Sequence, residues 1–405
     1  MKQSVIRFNR YYLFTALSLF LLFVTLALSS CGGGNSNVNS SISTYLAGSH
    51  PFGNAIDSSG NIWVANAGSG IPGMAVGDSN VIKLSPSGEV IGTYVAGSAP
   101  IGIAIDKSGN VWVENYGNGI PGTAPGNSNV TKLSPSGAVI GTYVAGSYPA
   151  GGIAIDKSGN VWVTNWGPIS GTAGTPGTAA GDSNVTVLSP TGTVIATYIA
   201  GSSPGGIAID STGNVWVANK GNGTPGMGLT DSNVTKLSSS GTILGTYVAG
   251  SHPEGIAIDP EGNVWVVNKG NGTPGTGASD SNVSKLDSNG NLIGTYVAGS
   301  LPEIVAIDSA GNVWVSNGYN RGINTSLTTS SVTELSPSGT VLHTYATGYQ
   351  PYGIAIDRSG NVWVTNFGNG TAGTVPEDSN IQVYMGAGKG PQYFPYSGPM
   401  WPGAE

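Results

Sequence analysis

The sequence predicts an all-β fold: a seven-bladed β-propeller of four-stranded antiparallel blades, with the last blade closed by the N-terminal strand. Three observations carry this. Trp63, Trp112, Trp162, Trp216, Trp265, Trp314 and Trp363 form one column at spacings of 49, 50, 54, 49, 49 and 49 residues, and a period near fifty with strand-like patterning belongs to a propeller or a β solenoid. Each unit reads as four short strands, as in Gly102 to Asp106, Asn110 to Asn115, Asn129 to Leu133 and Val139 to Ala145, joined by tight polar turns in the manner of a blade. The fourth strand type also occurs seven times, but its first copy, Ile42 to Gly48 (ISTYLAG), precedes every other strand, and none follows Ser379 to Tyr384. The two chain ends must therefore share a blade, which removes the exposed edge of an open array.

Ahead of the repeats, Lys2, Arg7 and Arg10 precede an apolar run from about Tyr11 to Leu28, followed by Leu28, Ser29, Ser30 and Cys31. Residues 1–30 read as a signal peptide; a transmembrane anchor is the other reading, with a run at the short end for a span. The end of the run resembles the lipobox of bacterial lipoproteins. That resemblance implies cleavage before Cys31, a lipid on its thiol, and a protein exported and anchored to the bacterial cell envelope, at the outer membrane or cell surface. Cys31 is the only cysteine, so the exported domain has no disulfide and relies on side-chain packing. Residues 31–41, rich in Gly, Ser and Asn, read as a flexible tether, residues 42–386 as the propeller, and residues 387–405 as a Pro/aromatic tail (PQYFPYSGPMW from Pro391 to Trp401) that docks on the propeller or recruits a partner.

Composition agrees: 66 Gly and 24 Pro leave no room for long helices, and no segment carries a helical apolar stripe. The signal holds three of the 14 basic residues and none of the 21 acidic ones, so the mature chain carries 11 minus 21, or −10. That charge argues against nucleic acid and against a polybasic grip on anionic lipid.

Whatever recurs in all seven units serves the blade. The Trp column reads as an apolar layer between blades. Asp57, Asp106, Asp156, Asp210, Asp259, Asp308 and Asp357, each ahead of x-x-Gly-Asn, read as turn residues that bond their own backbone. Gly117, Gly119 and Gly122 spell GxGxxG, but so do four sister sets, and each leads through a loop into another strand rather than a helix, so no dinucleotide site is expected. The GxSxG of Gly201, Ser203 and Gly205 lies in a loop whose copies hold Ala99 or Leu301 in place of the serine, which is no nucleophile elbow. Asp78, Asp182, Asp231, Asp280 and Asp378 open Asp-Ser-Asn triplets, readable as oxygen ligands for Ca²⁺ or as Asx turns opening a strand.

The units resemble NHL and YVTN propeller repeats: PGGIAIDSTGNVWVAN (204–219) is similar to the NHL core, and VWVTNWG with SNVTVLSPTGTVIATYIAGSSPGG to the YVTN unit. The resemblance spans residues 42–386 and implies the fold. It leaves function open, because such repeats serve binding, surface-layer and enzymatic proteins alike.

Localised function is expected where the copies differ, on the face bearing the long loops. The candidates there are His50, Tyr148, His252, Glu254, Glu303 and Tyr352 between blades, and Glu114, Tyr116, Trp166, Lys220, Lys269 and Phe367 at the ends of second strands. Such a set suits a polar or carbohydrate-like ligand. Two readings follow. One is a monomeric, lipid-anchored, non-enzymatic scaffold with no cofactor, presenting this face to a protein or glycan partner. The other is an enzyme resembling streptogramin lyases, a resemblance that implies His and Glu residues working with Mg or Ca; His252, Glu254 and Glu303 are the nearest residues for those roles.

Overall fold

The computed structural model describes residues 41–68, 79–117, 128–167, 183–221, 232–270, 281–318, 330–368, 379–388, 390 and 392. These form seven four-stranded antiparallel sheets and no helix. Blade 1 runs from Pro51 to Tyr94, blade 2 from Pro100 to Tyr143, blade 3 from Pro149 to Tyr198, blade 4 from Pro204 to Tyr247, blade 5 from Pro253 to Tyr296 and blade 6 from Pro302 to Ala346. Blade 7 takes its three inner strands from Pro351 to Tyr384 and its outermost strand from Ile42–Leu46. The closing strand pairs from Ile42↔Tyr384 to Leu46↔Asn380, and Tyr45 stacks on Trp363 as Tyr94, Tyr198 and Tyr345 stack on Trp63, Trp162 and Trp314. The N-terminal strand thus occupies the place its sequence class predicts.

Strand limits differ slightly from the sequence expectation. The innermost strand of blade 2 starts at Pro100 and its outermost strand ends at Tyr143, because pairing with Asn115 begins at the proline. The Trp spacing of 50 also gains a cause. The innermost strand of blade 3, Pro149–Ile155, carries one more residue than its neighbours. The extra residue is absorbed between Pro149 and Ile153, where Gly151 turns to φ +85°, a conformation that favours glycine.

The core is a set of layers between blades. Trp63, fully buried, packs with Ile105, Val111, Val113 and Leu133 of the following blade, and Trp112 with Ile155, Val161, Val163 and Leu188. The Asp column is more than a turn device. Asp57 Oδ1 accepts from the backbone amides of Ser59 and Asn61, while its Oδ2 accepts from the Trp63 indole at 3.1 Å; all seven copies bond their tryptophan, at 2.9–3.4 Å. In four blades a lysine joins them. Lys83 lies 3.2 Å from Asp57, 4.6 Å from the Trp63 ring centroid, and donates to Pro135 O in the next blade. Lys132, Lys236 and Lys285 repeat the arrangement, so one ammonium ties an aromatic face, a carboxylate and an adjacent blade.

Burial pushes the Asp57 and Asp210 carboxyls upward. The bonds to Asp57 from Asn61 and Trp63 and the Lys83 charge, and those to Asp210 from Thr212, Trp216 and Asn214, outweigh burial and hold both below the usual carboxylate value. A lowered folded-state pKa gives stability that is complete above the unfolded value near 4 and is lost as pH falls through the folded one. The unfolding midpoint should therefore drop steeply below about pH 4. Asp57→Asn with Asp210→Asn should lower stability at pH 7 and flatten that acid limb; an unchanged limb would show that other groups set it.

Candidate functional site

Register brings one end of every blade to a common level, as at Pro51, Asn66 and Asn80. The connections between blades emerge there, and this end is the mouth face. His50, Ala99, Tyr148, Ser203, His252, Leu301 and Gln350 recur at the connections, all at φ 48–52°, a left-handed conformation that costs non-glycine residues on the order of 1 kcal/mol. It persists because the same residue's carbonyl accepts the amide that follows the second strand, as in Lys269 N–H to His252 O at 3.0 Å.

Two side-chain positions then diverge around the ring. One follows the innermost proline: Phe52, Ile101, Gly205, Glu254, Glu303 and Tyr352 in blades 1, 2, 4, 5, 6 and 7. The other follows the second strand: Ala67, Tyr116, Trp166, Lys220, Lys269, Gly318 and Phe367. Blades 3–6 make a charged sector. Lys220 Nζ lies 2.5 Å from Glu254 Oε1 and 4.2 Å from the Trp166 ring centroid, while Lys269 Nζ lies 2.6 Å from Glu303 Oε1. Glycines make the room: a Cβ on Gly205 would come within 3.0 Å of Lys220 Cε, and one on Gly318 within 3.1 Å of Glu303 Oε1.

Glu303 is only 5% exposed, and its Oε2 has no hydrogen-bond partner. Burial drives its carboxyl up to about 7, with Lys269 opposing and Glu254 reinforcing. For Lys269, burial pulls downward, but Glu303 and Glu254 outweigh it and hold the ammonium above its ordinary value. A carboxyl raised from an unfolded value near 4.5 makes the folded state take up a proton between that value and about 7, so its contribution to stability falls as pH rises through this window. Glu303→Gln should remove that slope; a slope surviving the change would place the titration elsewhere.

The opposite sector is aromatic. Phe52 stacks on Tyr352 at 4.1 Å, Phe367 stands edge-on to Phe52 at 5.7 Å, and His50 lies 4.5 Å from Phe367. The Tyr352 hydroxyl is pushed up by burial and by the charges of Glu303 and Glu254, so the two sectors adjoin. A second aromatic group joins Tyr116 to Tyr148 at 5.3 Å and to Trp166 at 6.2 Å, and burial with the neighbouring Tyr148 raises the Tyr116 hydroxyl.

Most sequence candidates therefore gather into these groups. Glu114 does not: it is fully buried within its blade, its carboxylate seated against Gly102 of the paired strand. His252 is half-buried, its Nδ1 enclosed without a hydrogen-bond partner. Sequence reasoning omitted Phe52; its place in the column of Glu254, Glu303 and Tyr352 was the available signal. The five Asp-Ser-Asn aspartates, Cys31 with the signal segment, and the tail beyond Gln392 lie outside the described residues.

The carboxylates of the charged sector already face cations of the chain itself. Among the described residues no three His, Cys, Asp or Glu side chains are grouped as metal ligands, and the carboxylates of Glu254 and Glu303 are each engaged by a lysine. An ammonium at that distance competes with a metal for the same lone pairs.

No family model matches the chain, and no curated protein matches it. Solved structures do. A streptogramin B lyase structure aligns with 85% of this chain and 97% of its own at a TM-score of 0.59 and 16% identity. The WD40 β-propeller domain of Doa1 aligns with 84% of this chain and 94% of its own at 0.57 and 11% identity, and the Neurospora crassa Pan2 WD40 domain with 85% and 91% at 0.56 and 12% identity. At these identities the likeness establishes the propeller fold and nothing finer.

Proposed function

We propose that this chain is a lipid-anchored, non-enzymatic binding propeller of NHL/YVTN-like repeats, which engages a polar partner, protein or glycan, through its mouth face. One observation carries the reading: the positions at which seven otherwise similar blades differ converge into a charged network, Lys220–Glu254 and Lys269–Glu303, flanked by aromatic rings. Convergent polar groups beside partly exposed rings are the make-up of a ligand site. The pairing of both glutamates with lysine favours binding over a metal-assisted lyase reaction. The signal pattern ahead of Cys31 supports export and acylation to the cell envelope.

The test is thermal unfolding of the full chain with envelope glycan fragments and peptides. A ligand at a hundred times its dissociation constant stabilises the folded state by about 2.7 kcal/mol. Trp166→Ala with Lys220→Ala should abolish the shift, and a shift unaffected by the pair would move the site off the mouth. For the anchor, Cys31→Ser should release the chain from the membrane fraction; retention there would refute acylation as the attachment.

A further inference from the structure

Five times in the described residues an ammonium lies over an aromatic ring beside a carboxylate. Lys83, Lys132, Lys236 and Lys285 do so against Trp63, Trp112, Trp216 and Trp265, with Asp57, Asp106, Asp210 and Asp259 as the carboxylates. Lys220 does so at the mouth, 4.2 Å from the Trp166 centroid and 2.5 Å from Glu254. The attraction is that of a cation for the negative face of the ring, strengthened by partial desolvation and by the neighbouring charge.

The components occur a sixth time with no cation over the rings among the described residues. Glu303 and Tyr352 hold the same position on neighbouring innermost strands, Phe52 stacks on Tyr352 from the next blade, and Phe367 closes the group at 5.8 Å from Tyr352 and 5.7 Å from Phe52. The three rings are partly exposed. Lys269 engages Glu303 through Oε1 alone, leaving the enclosed Oε2 without a donor. A buried carboxylate oxygen lacking a donor is costly and marks a place where a partner belongs.

We infer that Glu303, Tyr352, Phe52 and Phe367 form a seat for a primary ammonium group carried by a small amine ligand, with Glu303 Oε2 accepting its hydrogen bond and the rings facing its charge. The inference rests on the mouth being the ligand site and names the chemistry the ligand carries there. The chain's net charge of −7 draws cations toward it. Lys269, Lys220, Glu254 and Tyr352 are the titratable groups whose charges or burial bear on Glu303 or lie in its field. Below about pH 7, where the Glu303 carboxyl holds a proton, the ammonium displaces that proton to solvent and the net charge of the seat is preserved; above it the ammonium meets the carboxylate directly.

The experiment is calorimetric titration of the full chain with glucosamine, cyclohexylammonium and N-acetylglucosamine. The two amines should bind and the neutral acetamide should not. Affinity for cyclohexylammonium, whose amine stays protonated throughout, should rise between pH 6 and 8, and affinity for both amines should fall about tenfold in Glu303→Gln, the loss typical of removing a hydrogen bond to a charged group. Phe52→Leu, which leaves the ion pair in place, should weaken the amines comparably and guards against misfolding of Glu303→Gln. Equal binding of N-acetylglucosamine, no binding of either amine, or indifference to both substitutions would overturn the ammonium seat. If a glycan or peptide meanwhile binds in a manner dependent on Trp166 and Lys220, the seat falls while the mouth stands; if nothing binds at the mouth, both fall.

Discussion

Deletion of residues 42–46 should abolish cooperative unfolding and drive the chain to associate. The closing strand supplies five paired positions along the third strand of blade 7, from Tyr384 to Asn380, and Tyr45 covers Trp363 at 5.8 Å. Ala47, directly after the strand, is fully buried among Ile82, Trp363, Ile381 and Val383, so the deletion also frees the segment that bridges blades 7 and 1. What remains is an unpaired strand edge flanked by newly exposed apolar surface, a template for association between chains. Size-exclusion chromatography and thermal unfolding of the full chain and its deletion decide the matter. The expected result is aggregated or oligomeric material without a sharp transition; a monomer of unchanged midpoint would mean that the ring does not depend on this strand.

Trp216→Ala should cost about 3–5 kcal/mol, the range for removing a large buried aromatic side chain. The ring is fully buried, and its indole donates to Asp210 at 3.1 Å while Lys236 lies 4.7 Å from its centroid. Truncation opens a cavity between blades 4 and 5, removes a donor from a carboxylate that is itself 7% exposed, and takes the aromatic face from a lysine. Trp314→Ala is the informative comparison, because blade 6 carries Glu334 where blades 1, 2, 4 and 5 carry lysine, and among the described residues no ammonium lies over the Trp314 ring. Chemical denaturation should show the larger loss for Trp216→Ala. Equal losses would show that the lysine adds nothing beyond the cavity.

The contrast between these positions explains what the sequence made legible. Strand count, blade closure and the buried Trp layer follow from periodicity, and periodicity is visible in a single chain when seven copies lie side by side. The mouth residues were legible for the complementary reason: Lys220, Glu254, Lys269, Glu303, Tyr352 and Phe367 stand out as departures from their columns. Partnerships were not legible. Lys220 finds Glu254 and Lys269 finds Glu303 one blade onward, 34 residues apart in each case, and such pairs depend on the rotation between blades. The Trp–Asp bond escaped for a simpler reason: the local turn chemistry already accounted for the aspartate, so its second oxygen had no evident task.

The direction of the closing strand has a mechanical consequence. Ile42 pairs with Tyr384, which pairs with Val362, so the strand begins at the turn end of blade 7 and runs toward the mouth at Leu46. Gln392, bonded to the backbone of Ile356, lies at the same turn end. Under the proposed anchoring through Cys31 and binding at the mouth, a load between the two runs along the closing strand. Its five paired positions resist that tension together in shear instead of peeling apart one after another, and the seam that completes the ring is pulled in its strongest direction.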